Sequence, residues 1–370
     1  MYISETYWNN FRNLKPRHLF WCSGLNLLTG KNGSGKTNML EALNLACGWG
    51  TFYNARAAEL RTWYGGNVTG NTEISCNALG EEQVISEIFI SSRISVKTNK
   101  ERTSFSELRA HIPALCFLPY DMNLIDGTPG VRRAFIDKLC ALISIPYAKR
   151  LSDYKRLVRH RIKLLREGKS PNITSQLISF IGSWIWSVRC SAVKMLDENV
   201  SFESPLNALS PFPLRVSLKL GGMENGEECL NEADAMKDKF IEKLKFYSER
   251  EVKAKVPFVG PHRDDILISV YGNKGNSDFS PSAVLSRGQK RRSVISLILA
   301  SGRVMELKLK RKPLFLLDEV FSELDEDGRL IVANALYDSG WQIFAASAEN
   351  TFSNWQGKVY QLRDGDILKL

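Results

Sequence analysis

Eight consecutive residues, Gly30-Lys31-Asn32-Gly33-Ser34-Gly35-Lys36-Thr37, constrain this chain more than any other stretch. They match G-x-x-x-x-G-K-[ST], a loop that uses glycine so the backbone can wrap with its N–H groups turned inward. Gly24-Leu25-Asn26-Leu27-Leu28-Thr29 reads as a strand ending at Gly30. A helix is expected to begin near Gly35, with Met39, Leu40, Ala42, Leu43 and Ala46 as its apolar face. Strand, glycine loop and helix N-terminus together make a phosphate cradle, because free N–H groups and the helix dipole attract anions. Lys36 is expected to reach the β and γ phosphates of ATP, and the Thr37 hydroxyl to bind Mg²⁺. The bland alternative is an accidental glycine-rich turn; the flanking strand and helix argue against it.

Leu314-Phe315-Leu316-Leu317 reads as a strand buried on both faces. It delivers Asp318 and Glu319 at its C-terminal end, where open α/β sheets place ligands. Asp318 is expected to hold Mg²⁺, and Glu319 to polarise an attacking water. Alone, the pair could be an exposed acidic turn after a core strand; the upstream phosphate loop favours catalysis. Leu285-Ser286-Arg287-Gly288-Gln289 resembles the signature of ABC-type ATPases, L-S-x-G-Q. In that superfamily the signature of one subunit caps the γ-phosphate bound by another. Ser286, Arg287, Gly288 and Gln289 are therefore expected to act in trans. Ser322-Glu323-Leu324-Asp325 resembles the superfamily's D-loop, with Asp325 as its acid. The order P-loop, signature, Walker B strand, D-loop is that of the superfamily.

The 370 residues, 44% of them hydrophobic, suffice for two or three packing units without disulfide or metal staples. The least charged stretch, Ser170 to Val188, holds too many Ser, Thr, Asn and Gln to cross a bilayer. No basic region followed by an apolar run opens the chain, so no secretory signal is expected. Seven widely spaced cysteines without C-x-x-C, and four distant histidines, suggest reduced core thiols in a cytoplasmic protein without zinc.

Between Thr37 and Leu285 lie 247 residues. Residues 70–98 carry β segments, among them Val84–Ile94, with Asn77–Gly80 as a candidate turn. From Val131 to about Val200 the pattern is helical, and Leu151, Tyr154, Val158, Ile162 and Leu165 form one face. Gly168–Pro171 is a break. Ser, Pro and Gly punctuate 201–226 around a strand at Leu214–Leu220, and Glu232–Glu251 is helical. Strands and helices then alternate: Ile266–Tyr271, Gln289–Leu307, Leu314–Leu317, Glu326–Ser339, Gln342–Ala346. No heptad persists, which excludes a long coiled coil.

An insert of this length without heptads is similar to that of the RecF family of DNA replication and repair proteins. Three further stretches agree. Asn9-Asn10-Phe11-Arg12-Asn13-Leu14 resembles the family's opening strand. Phe117 to Pro129, followed by Arg132-Arg133 and Phe135-Ile136-Asp137, resembles its central block, with Leu118-Pro119-Tyr120-Asp121 where Ser-Pro-Glu-Asp is usual. Gly260-Pro261-His262-Arg263-Asp264-Asp265 matches its GPHRDD motif. The last strand ends at Ser347, where ABC ATPases usually carry a switch histidine. The likeness spans residues 1 to 350.

The resemblance implies an α/β ABC-type ATPase head from 1–115 and 256–370, with a mostly helical arm at 116–255. It implies a weak, DNA-stimulated ATPase of DNA damage, SOS response and recombination. Such a protein dimerises on ATP, holds duplex DNA near single-strand gaps, and helps load a recombinase with RecR and RecO-type mediators. Two other readings stand beside it: a non-catalytic ATP-binding scaffold, against which Glu319 argues, and a RecF-like ATPase of a defence or mobile-element system.

Net charge is +10, and residues 131–170 alone hold twelve Lys or Arg against three acids. Lys155, Arg156, Arg159, Lys163 and Arg166 lie off the apolar stripe and are the candidate DNA contacts; the alternative is a solvated helix face. A functional role for His262 and Arg263 in the head is expected, whereas Asp264 and Asp265 are expected to brace. The eight tryptophans, Trp63 among them, show no stacking pattern and are read as packing.

Overall fold

The computed structural model describes residues 1–53, 55–61, 72–200, 209–223, 233–271, 278–348 and 355–368. Trp63, Cys229, Glu232 and the Ser/Pro stretch 201–208 lie outside them. The chain forms two compact units: Met1–Met122 with Ser286–Leu370, and Asn123–Leu285.

The first unit holds two six-stranded sheets. One is antiparallel, in the order β2 (Arg17–Phe20), β1 (Tyr2–Asn9), β4 (Thr72–Leu79), β5 (Val84–Ile90), β6 (Ile94–Thr98), β7 (Glu101–Arg102). Along β5, buried and exposed residues alternate, as a strand with one covered face must. Asn77–Leu79 continue β4 rather than forming the expected turn, which falls at 80–83. Cross-strand pairing of Asn77 with Ile85 outweighs the local turn preference of Asn and Gly.

The other sheet runs β15 (Asp366–Leu368), β14 (Lys358–Arg363), β3 (Leu25–Thr29), β13 (Gln342–Ser347), β12 (Leu314–Leu317), β8 (Ala114–Phe117). All its strands are parallel except β15. Every residue of β3, β12 and β13 is buried, which is why they read as continuous apolar runs. Helix α1 (Lys36–Ala46) packs Met39, Leu40 and Leu43 into a core shared with both sheets. Helix α2 (Phe105–His111) is started by a Ser104–Glu107 capping box. The crossing helices α10 (Arg287–Leu309) and α11 (Glu326–Asp338) flank β12 in sequence.

The second unit is mostly helical: α3 (Asn123–Asp126), α4 (Pro129–Ile143), α5 (Tyr147–Arg166), α6 (Asn172–Val200), α7 (Ala233–Phe246), α8 (Ser248–Ala254) and α9 (Pro281–Val284). The expected helix up to Glu251 is thus two helices parted at Tyr247. A three-stranded antiparallel sheet completes the unit, ordered β11 (Asp278–Phe279), β10 (Asp265–Tyr271), β9 (Leu214–Lys219). That sheet draws 256–285 into this unit, where the sequence reading put the boundary at 255/256. Conversely, β8 pairs with β12, so 116–122 belong to the first unit. The GPHRDD motif therefore sits in the inserted unit, not in the head.

Trp8, Trp186 and Trp341 are fully buried, and Trp341 stacks on Phe315 with centroids 4.9 Å apart. Cys22, Cys47, Cys76, Cys116 and Cys140 are free thiols, as expected; Cys190 departs from that reading, being disulfide-bonded. No described helix is long and apolar enough to cross a membrane.

Candidate functional site

Parallel strands β3 and β12 are separated by β13 alone, so their C-terminal ends open on one edge of the sheet. The loop Gly30–Gly35 leaves β3 there and Asp318 leaves β12. Glycine is obligatory at two points. A Cβ at Gly30 would collide with the Leu362 carbonyl oxygen, and Gly35 caps α1 at φ 108°, in the left-handed region.

Lys36 is buried and donates from Nζ to the carbonyls of Gly30 (2.7 Å) and Lys31 (3.1 Å). Burial lowers its pKa, while Asp318 and Glu319 hold it up. Thr37 Oγ1 donates to Asp318 Oδ2 at 2.9 Å, joining residues 281 positions apart. The other carboxylate oxygen, Asp318 Oδ1, is buried without a hydrogen-bond partner, as is Ser34 Oγ. Burial pushes the Asp318 pKa up to about 6; neighbouring Glu319 raises it further, and the Thr37 hydroxyl and Lys36 oppose this. A desolvated carboxylate with one orphaned oxygen fits a cation ligand. One carboxylate and one hydroxyl suit Mg²⁺, which takes its remaining ligands from water and substrate phosphate. No cluster of three or more His, Cys, Asp or Glu that could hold a metal occurs among the described residues.

Glu319 follows at φ 50°, a left-handed conformation costly for a residue with a side chain. Arg291, buried on α10, secures it: Nη1 donates to the Glu319 carbonyl at 2.6 Å, and Nη2 lies 3.5 Å from Glu323 Oε2. In sequence Arg291 looks like one cation of a basic run. The opening Asn-Phe-Arg-Asn stretch braces the loop. Asn13 Nδ2 donates to the Gly33 carbonyl (3.1 Å), Asn38 Nδ2 donates to Asn13 Oδ1 (2.7 Å), and Arg12 pairs with buried Glu41. The sequence singles out Arg12 and Asn13 only through the family resemblance of their stretch; their partners are fixed by the fold. A cavity of about 470 Å³ opens beside Gly33, lined also by Asn10, Asn13, Leu14 and Asp364. Buried Ser347 ends β13, between the two site strands.

Ser286 caps α10: its Oγ accepts from Gln289 N–H (3.3 Å), and Gln289 Oε1 accepts from Ser286 N–H (2.9 Å). Ser286 and Arg287 are exposed, and among the described residues no hydrogen bond ties 286–289 to residues 30–37. Asp325 caps α11 by accepting from Gly328 N–H at 2.8 Å. A Cβ at Gly288 would lie 3.0 Å from the Glu323 carbonyl oxygen, so signature and D-loop touch.

In the second unit, Lys155, Arg156, Arg159, Lys163 and Arg166 all lie on the exposed side of α5. Arg156 is ion-paired with Asp153 (2.5 Å), and Lys163 lies 3.8 Å from Glu167. Arg161, counted in the same basic run, is instead fully buried against Glu251 at 2.6 Å.

Residues 2–366 match the family model described as the RecF/RecN/SMC N-terminal domain. The DNA replication and repair protein RecF of Moorella thermoacetica is 31% identical over 86% of this chain and 82% of its own. RecF of Thermoanaerobacter is 27% identical over the full length of both. The solved structure of the recombination mediator protein RecF-ATP in the RecFOR pathway aligns with TM-score 0.82 at 26% identity, over 100% of this chain and 97% of that one. An Smc head bound to the C-winged helix domain of ScpA, 17% identical, aligns with TM-score 0.61 over 100% of this chain and 98% of that one, a likeness of fold.

Proposed function

This chain belongs to the RecF family, among the proteins carrying the RecF/RecN/SMC N-terminal domain, and from that premise we propose that it is an ATP-driven DNA-binding protein of replication and repair. The observation that carries this reading is the Thr37–Asp318 hydrogen bond, with an orphaned carboxylate oxygen, beside buried Lys36. The N–H groups of Gly30 to Gly35 and of the first turn of α1 cradle the phosphates of ATP. Lys36 leaves its two loop carbonyls to neutralise the β and γ phosphates. The cavity beside Gly33 has room for the nucleoside. Thr37 and Asp318 hold Mg²⁺, which supplies charge neutralisation at the phosphates when bound. Glu319 accepts a hydrogen bond from the attacking water and orients it in line with the γ-phosphate.

Ser286 to Gln289 complete the site of a second copy. The exposed N-terminal turn of α10 offers a hydroxyl, a glycine and a helix dipole to an anion arriving from outside. ATP thereby closes a homodimer, and slow hydrolysis reopens it. Asp325 fixes the start of α11 beside that contact. The outer face of α5 contacts phosphates of duplex DNA without reading sequence. Near a single-strand gap this clamp assists recombinase loading together with RecR and RecO-type mediators.

The test compares Glu319→Gln with Lys36→Ala. Glu319→Gln keeps the phosphate cradle and loses the carboxylate; it should accumulate as an ATP-bound dimer by sedimentation and hydrolyse little ATP. Lys36→Ala should neither dimerise nor hydrolyse. A Glu319→Gln protein that stays monomeric at saturating ATP, while wild type dimerises, contradicts the cycle. Gapped duplex should raise wild-type turnover; a stimulated rate is what a structural ATP ligand would not give.

A further inference from the structure

Two stretches that the ATP site does not use, the central block around Arg132–Asp137 and the GPHRDD motif, fold against each other in the inserted unit. Arg189 joins them. Its Nη1 donates to Asp264 Oδ2 (2.6 Å) and the Pro261 carbonyl (2.7 Å), and its Nη2 donates to Asp137 Oδ1 (2.8 Å). Arg132 closes the same junction by pairing with Asp265 at 2.8 Å. Over it lies a cavity of about 290 Å³, lined among others by Gly130, Arg133, Asp137, Lys155 and His262.

We propose that this cavity is a binding site for a phosphate group, held by Arg133 and Lys155 at the N-terminal turn of α4. The charges in it divide into spent and unspent. Asp137 shares the Arg189 charge with Asp264 and also accepts from Tyr147 Oη at 2.5 Å. His262 is saturated: Tyr154 Oη sits 2.8 Å from Nδ1, and Nε2 faces the Pro257 carbonyl at 3.4 Å. Arg133 uses only Nη1, donating to the Asp264 carbonyl at 2.6 Å, and among the described residues neither it nor exposed Lys155 forms an ion pair. Thr128 precedes α4 without capping it through its side chain, and Gly130 in the first turn lines the cavity. A guanidinium edge, an ammonium and the Gly130 backbone N–H are donors that a phosphate takes, whereas Pro129 has no N–H and that of Val131 is bonded to the Thr128 carbonyl. On the floor Asp137 and Asp264 share the one Arg189 charge, and Arg133 and Lys155 add two positive charges at the rim.

The phosphate has two possible sources: an internal phosphodiester of the duplex, or a terminal phosphate at a strand end. The DNA part of this inference rests on the function proposed above; the phosphate part does not. Full-length wild type, Arg133→Gln and Lys155→Gln are titrated with inorganic phosphate by calorimetry. They are then titrated with duplexes whose recessed 5′ end carries either phosphate or hydroxyl. Thermal melting checks that each variant is folded, and Lys155→Gln, on an exposed face, answers if Arg133→Gln is not. Phosphate affinity should fall about tenfold or more in each variant, the loss expected for one charged hydrogen-bond donor. Preference for the phosphorylated end, lost in the variants, assigns a terminal phosphate; equal weakening of both duplexes assigns an internal one. Wild type that binds phosphate no better than the variants overturns the site. Wild type that binds phosphate but no duplex keeps the site and sinks the DNA reading.

Discussion

Replacing Lys155, Arg159 and Arg166 together by Ala should make duplex binding markedly less sensitive to salt. These three are chosen because the remaining two cations of the α5 face are already opposed, Arg156 by Asp153 at 2.5 Å and Lys163 by Glu167 at 3.8 Å. An opposed cation releases fewer counterions on meeting a phosphate. Each phosphate contact contributes about −0.9 to the slope of log affinity against log salt, so losing three should flatten it by up to roughly 2.7. Between 50 and 200 mM salt, wild-type affinity should then fall about 40-fold more than that of the variant. The Arg156→Ala, Lys163→Ala pair should change the slope by clearly less than two such contacts. Fluorescence anisotropy of a labelled duplex at four or five salt concentrations reads both numbers. ATP binding should be spared, since α5 lies in the unit that does not carry the P-loop. The reasoning fails if the triple variant keeps the wild-type slope; the solvated-face reading of α5 would then stand.

Arg291→Met should lower kcat for ATP hydrolysis about tenfold or more while leaving KM nearly unchanged, because it frees the Glu319 carbonyl and with it the left-handed bend that aims the carboxylate; equal kcat in a steady-state assay would remove that role. Glu251→Gln should destabilise the inserted unit by about 3–5 kcal/mol in denaturant unfolding, since it leaves Arg161 buried without its counter-charge. The double change Arg161→Met, Glu251→Leu should recover much of that loss. Burial lowers the His262 pKa to about 4, from 6.5 for an exposed histidine. Stability should therefore be complete above pH 6.5, where both states hold neutral His262, and fall toward pH 4 as the unfolded chain takes up the proton first. The limit is roughly 3 kcal/mol, and His262→Gln should flatten thermal melting across that window.

Features confined to a few neighbouring residues were legible from the chain alone. The P-loop needs glycine for its φ angles and a helix start for its charge, so eight residues announce it. Leu314–Leu317 is an unbroken apolar run because both faces of β12 are covered, and its bounds in sequence and structure coincide. The face of α5 could be read from helical spacing, with Tyr154, Val158 and Leu165 buried and the cations opposite. What the tertiary structure alone decided were partnerships across long stretches of chain. Thr37 meets Asp318 because β13 inserts between their strands, and strand order is not written in any window of sequence. Arg161 reads as one more cation of the basic run and no local pattern singles out Arg189, yet each is buried against carboxylates far along the chain. Asn77–Leu79 followed β4 instead of turning, because pairing with β5 outweighs local preference. The GPHRDD motif joined the inserted unit once β10 found β9. Backbone geometry and apolar periodicity act over a few residues; burial of a charge is repaid only by a partner that folding brings near, and that choice belongs to the whole chain.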